Sequence, residues 1–144
     1  MIYKHTQIGY LIIFVLLAVT LLFGSIMTQV GLNSKVLIPM VFILFILASF
    51  ASLKVMIDEN YLQIKFGYGI YRKRFTLKEI ISAKTVKNHW YYGWGIRVWF
   101  WPYMLIYNVS GFDAVEIKTK NGKTYRIGTD EPNNLERAIK QSIK

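Results

Sequence analysis

The chain has 144 residues, of which 53% are hydrophobic and 18% charged, with a formal net charge of +10. That length allows one ordinary domain, or a small membrane anchor plus a small domain, and the absence of cysteine excludes disulfides, thiolate zinc sites and cysteine nucleophiles. Residues 1–53 hold only Lys4 and Lys35 and no acid, whereas the rest holds 16 Lys and Arg against 8 Asp and Glu, so the main compositional break falls near residue 53.

Residues 8–30 carry no charge over 23 positions. As a helix they would rise about 34 Å, enough to cross a hydrocarbon core of about 30 Å. Thirteen residues between 8 and 27 are Leu, Ile, Phe or Val, which makes insertion favourable by roughly 4 to 8 kcal/mol. Residues 36–53 form a second apolar run with twelve such side chains. Pro39 falls in the first turn of this expected span, where a missing donor is tolerated. Ala48, Ser49, Ala51 and Ser52 are small enough to let two helices approach closely. Between the runs, Gly31 and Asn33 suit a reversal and Ser34 a helix cap. The expected N-terminal unit, residues 1–53, is therefore a transmembrane helical hairpin. A cleaved signal peptide fits less well, because the first run is long for one and a second follows at once. Lys4, Lys54, Lys65 and the cluster Arg72, Lys73, Arg74 flank the outer ends, against Lys35 alone in the connection. This bias places both termini and the remaining domain in the cytoplasm.

From residue 54 the period changes. YLQIKF at 61–66 alternates Leu62, Ile64 and Phe66 with Gln63 and Lys65, the mark of a half-buried strand. A strand is expected at 54–57, a turn at 58–60, a second turn at 67–69, and further strands at 70–75 and 80–86. DAVEIKTKNGKTYRIG, residues 113–128, reads as a β-hairpin around Asn121-Gly122, a pair that favours a type I′ turn. The last segment opens on capping residues and Pro132, then spaces Leu135, Ala138, Ile139 and Ile143 as one helical stripe.

Residues 90–107, WYYGWGIRVWFWPYMLIY, are long enough to span a bilayer. Their few strong inserters are offset by Arg97, which at mid-depth costs about 2.5 to 3.5 kcal/mol. The segment is instead expected to hold a strand at 95–100, with Trp94, Ile96, Val98 and Phe100 facing a core and Arg97, Trp99 and Trp101 on the opposite face, followed by an aromatic connection.

These elements make about seven strands and a closing helix. With GWGIR at 93–97 and YNVSGFDAVEIKTKNGKTYRIGTDEP at 107–132, the chain resembles a family of bacterial PH-domain membrane proteins. The resemblance implies an α+β protein, with an N-terminal transmembrane helical hairpin followed by a PH-like seven-stranded β barrel or sandwich over residues 54–144 and a C-terminal capping helix. It implies no catalytic residue and no specific ligand.

No acid/base pair, nucleophile, cofactor motif or metal set can be assembled. His5 reads as an interfacial residue and His89 as a loop histidine. Asp58-Glu59 and Asp130-Glu131 are explained by turn and capping chemistry. Gly93 and Gly95 lack the lysine and the strand–loop–helix setting of a phosphate loop, and Asn108-Val109-Ser110 is a glycosylation sequon without consequence in the cytoplasm. Nucleic-acid binding lacks a recognition motif. The candidates for lipid or partner contact are Arg72, Lys73, Arg74, Arg97, Trp99 and Trp101. Each cation near an anionic leaflet contributes about 1 kcal/mol, and indoles favour the interfacial belt. Scattered lysines such as Lys84, Lys118, Lys120 and Lys123 are explained by topology and solvation. The expected function is a PH-like binding or scaffolding domain presented at the cytoplasmic membrane surface, with lipid, peptide or protein as partner. An accessory subunit of a membrane transporter or enzyme, docked through the small residues of the second span, is the alternative.

Overall fold

The computed structural model describes residues 3–92, 94–100 and 103–143. In chain order it contains β1 (Tyr3–Ile8), α1 (Tyr10–Val30), α2 (Ser34–Ala48), β2 (Ser52–Ile57), β3 (Tyr61–Phe66), β4 (Tyr71–Thr76), β5 (Ile80–Lys87), β6 (Gly95–Phe100), β7 (Tyr103–Asn108), β8 (Asp113–Thr119), β9 (Thr124–Gly128) and α3 (Pro132–Ser142). The class is α+β. One sheet has the order β1-β2-β3-β4 and the other β5-β8-β9-β7-β6. All neighbours are antiparallel except β7 and β9, which run parallel.

Two of these strands depart from the expected seven. Residues 3–8 are not merely the flank of an apolar run: β1 pairs with β2 from Tyr3 opposite Ile57 to Ile8 opposite Ser52. The β domain therefore begins before α1, and both helices are an insertion between neighbouring strands. The boundary expected at residue 53 divides composition, not architecture. Likewise, the expected connection after residue 100 contains β7, which lies between β6 and β9 with Ile106 and Tyr107 fully buried.

The helices also differ from the expected pair. α1 spans 21 residues with none buried and is long and apolar enough to cross a membrane. The second run, expected as a helix over 36–53, is helical only from Ser34 to Ala48. Asn33, not Ser34, caps it, its side chain accepting from the Lys35 N–H at 2.9 Å. Pro39 is consequently inside the helix, beyond the first turn. At the other end the backbone tightens: the Phe50 and Ala51 N–H groups bond back three residues to Leu47 and Ala48. The chain then enters the sheet through Gly67 N–H donating to the Ser52 carbonyl at 2.9 Å. Sheet pairing wins over further helix because Leu53, Val55 and Ile57 gain buried positions there.

The core lies between the sheets. Leu62, Ile64 and Phe66 meet Tyr107, Ile117 and Ile127, all essentially inaccessible. α3 closes one side, resting on β5, β8 and β2, with Leu135, Ala138 and Ile139 inward as their spacing requires. The Asn121-Gly122 turn forms, but not as type I′. Gly122 has φ of +83°, and among the described residues no non-glycine has positive φ. Gly122 N–H bonds to the Thr119 carbonyl at 3.0 Å, and Thr119 N–H bonds to the Lys123 carbonyl. This is a type I turn followed by a left-handed glycine, which absorbs one more residue than the I′ form.

Candidate interaction site

The three consecutive cations of β4 sit on an edge strand, where alternation separates them. Lys73 is opposite Ile64 and shares the inward side with Tyr71 and Phe75, whereas Arg72 and Arg74 are opposite Lys65 and Gln63 on the outer face. Lys73 keeps its ammonium at the rim, 5.7 Å from the Phe75 ring centre and 5.9 Å from that of Tyr125. Its charge thus faces aromatic rings of its own domain. Arg72 Nε donates to the Gly69 carbonyl at 3.3 Å, and Arg74 lies 4.8 Å from the Tyr61 ring centre.

The register brings onto this face cations that the sequence marked only as topology signals. On the outer face, Thr6, Lys54, Lys65 and Arg72 form one cross-strand row, and Lys4, Met56, Gln63 and Arg74 form the next. Lys4 and Lys54 are separated by the whole helical insertion, so only β1–β2 pairing unites them. Repulsion from Lys4, with smaller effects of lost water and of Lys65, holds the Lys54 amine below the usual lysine range.

The β3–β4 turn fixes this sheet to the helices. Gly67 has φ of +52°, and a Cβ there would lie 2.4 Å from the Ser49 carbonyl oxygen. Tyr68 reaches α2, its hydroxyl donating to the Phe45 carbonyl and its ring 5.1 Å from that of Phe45. Ser49 is buried at this junction, and Ser52 is in β2. Ser49 and Ser52, two of the small residues expected to line a helix–helix interface, therefore serve the joint between α2 and the sheet.

Arg97 and Trp99 lie on β6, the edge strand of the second sheet. A cleft of about 220 Å³ opens between Ile12, Leu47 and Phe50 on the helix side and Trp94, Ile96 and Arg97 on the other. Arg97 Nε donates to the Tyr92 carbonyl at 3.4 Å. Trp99 packs on Tyr91 and Tyr92, with ring centres at 5.2 and 4.8 Å. With Tyr92, Met104 and Ile106 it forms a second, smaller core outside the sheet. The expected faces of β6 are thereby corrected. Ile96 reaches the main core, but Val98 and Phe100 are 42% and 77% exposed, because the first sheet does not extend over them. Trp101 lies outside the described residues.

His5 is not simply an interfacial residue. Its Nε2 lies 2.5 Å from Asp130 and its Nδ1 3.5 Å from Glu131. The Tyr3 hydroxyl also donates to Glu131. Burial first, then this carboxylate, pushes the Tyr3 hydroxyl pKa upward. The pair Asp130-Glu131, expected as capping acids, thus ties β1 to the start of α3. Asn108 of the sequon is buried and occupied, its Nδ2 donating to the Gly111 carbonyl at 2.9 Å. The chain matches no family model, no curated protein and no solved structure.

Proposed function

We propose that this is a small integral protein of the bacterial cytoplasmic membrane, a two-helix anchor holding a PH-like binding or scaffolding domain at the cytoplasmic surface, without catalysis. One observation carries the reading: Ile8 and Ser52 are cross-strand partners. The insertion between them leaves and re-enters the sheet at the same place. If α1 crosses the bilayer, α2 must return. α1 rises about 31 Å as a helix and α2 about 22 Å, and the shorter element is accommodated by local thinning or by its apolar flanks. The side chains of Leu21, Leu22, Phe42 and Phe45 are exposed over more than half their surface, which in water is a liability and in lipid is not.

The same pairing weighs against a removable signal sequence, since cleavage after α1 would strip β1 and its contacts through Tyr3, His5 and Gln7. The lysines and arginines beside the junction favour a cytoplasmic domain. The PH-like part of the reading rests on the sequence resemblance and on the terminal helix that closes the sheets. Partner binding is tested by crosslinking in native membranes followed by mass spectrometry. The reading expects alkali-resistant membrane association and discrete crosslinks from domain lysines. Release of the protein by alkaline washing overturns it.

A further inference from the structure

The outer face of the β1–β4 sheet carries Lys4, Lys54, Lys65, Arg72 and Arg74 and no acid. Lys54, Lys65 and Arg72 are successive cross-strand neighbours, and at about 4.8 Å between strands they fall within about 10 Å of one another. Like charges placed opposite one another oppose sheet formation. Among the described residues none of the five is in an ion pair, whereas Lys84, Lys87, Arg126 and Lys140 each have an acid within 4 Å. Arg74 has a carboxylate nearby: behind the Asn60 and Tyr61 N–H groups, it helps hold Asp58 below its usual range.

The position of the face selects the counter-charge. Lys54 is two residues beyond Ser52, about 7 Å along the strand from the joint with α2. Lysine stems extend their charge toward an interface, and the screening length is about 8 Å at physiological ionic strength. The row therefore lies at headgroup depth if the helices are embedded. We propose that this face rests on anionic lipid headgroups of the bilayer that α1 and α2 enter, with Lys54, Lys65 and Arg72 in contact and Lys4 and Arg74 behind them. The inference rests on the membrane reading above. It removes Lys73 from the lipid-contact set and adds three lysines.

The chain has no cysteine, so Gln63→Cys gives a single labelling site between Met56 and Arg74. The full chain, dye-labelled there, is reconstituted into nanodiscs of phosphatidylcholine alone or with phosphatidylglycerol, with a headgroup-attached quencher. Quenching is expected to be several-fold stronger with the anionic lipid and to weaken at high salt. Lys65→Gln with Arg72→Gln and Arg74→Gln should remove that difference while leaving Lys4 and Lys54 to set topology. Lys118→Gln with Lys120→Gln and Lys123→Gln removes the same charge elsewhere and should preserve it. Quenching independent of lipid charge, equal loss in both triple variants, or burial of the dye by a co-purifying acidic protein instead of lipid overturns the proposal. Failure to enter nanodiscs at all defeats the membrane reading instead.

Discussion

The two sheets share one core but present opposite outer faces. That of β1–β4 is uncovered and holds five cations without an acid. That of the second sheet is covered near β6 and β7 by Tyr92 and Trp99, which bury Met104 and Ile106. Elsewhere it pairs part of its charge: Glu116 accepts from Arg126 Nε at 3.2 Å and lies 3.4 Å from Lys84. Arg126 further donates to the Lys87 carbonyl and to Asn88. One face meets part of its charge with its own acid, and the other has no acid to meet any of it. Along β3 and β8 alternation makes both outer faces look polar; the difference lies in what the rest of the chain places over them.

The sharpest way to break this contrast is to truncate equivalent apolar positions. Ile106→Ala should lower stability by about 2 to 5 kcal/mol, as for a core residue, although Ile106 lies on an outer face. Met56→Ala on the other outer face should lose well under half as much, measured by denaturant unfolding in detergent. Equal losses would mean that the first sheet is also covered. Glu116→Gln should cost about 1 to 3 kcal/mol, because Arg126 loses a charged partner in a poorly hydrated place. Gly67→Ala should cost at least about 1 kcal/mol through the left-handed backbone, besides the close approach to Ser49, and should raise backbone exchange at the α2 junction. In the absence of anionic lipid, Lys65→Gln should leave stability unchanged or slightly higher, since it relieves repulsion with Lys54.

The smallest effect concerns the side closed by α3. Glu136 accepts from the Thr85 N–H at 2.7 Å, the Thr85 hydroxyl and Lys140. These bonds, Lys140 first, hold its carboxyl at about 2. A pKa lowered by folding stabilises above the unfolded value of about 4.3 and is lost as pH falls toward 2. Glu136→Gln should therefore be less stable than the parent near neutrality, with the gap closing across that acid range.

Strands such as β3, β8 and β9 were legible because one face alternates with the other. β1 was not, because YKHTQI has no strong apolar alternation and adjoins a long lipid-like run. β7 was hidden for the opposite reason: with Met104, Ile106 and Tyr107 buried on two faces, YMLIYN has no polar side to alternate with. The end of α2 was misplaced because residues 49–53 are as apolar in a turn and strand as in a helix. At the site, the splitting of Arg72, Lys73 and Arg74 between faces follows from the strand period. Lys65 and Lys54 join them through the β3–β4 and β2–β3 registers, but Lys4 could not be joined without the β1–β2 register. His5 could not be joined to Asp130 without knowing that β1 lies beside the start of α3.

The proposed anchor has residues 9–51 crossing a membrane twice while both flanking strands remain on one side. Single cysteines at Asn33, in the connection, and at Gln141, in α3, test it with a membrane-impermeant maleimide on intact cells and on inverted membrane vesicles. The account predicts that Asn33→Cys reacts from outside and Gln141→Cys only in inverted vesicles. Reaction of both positions from the same side would contradict it.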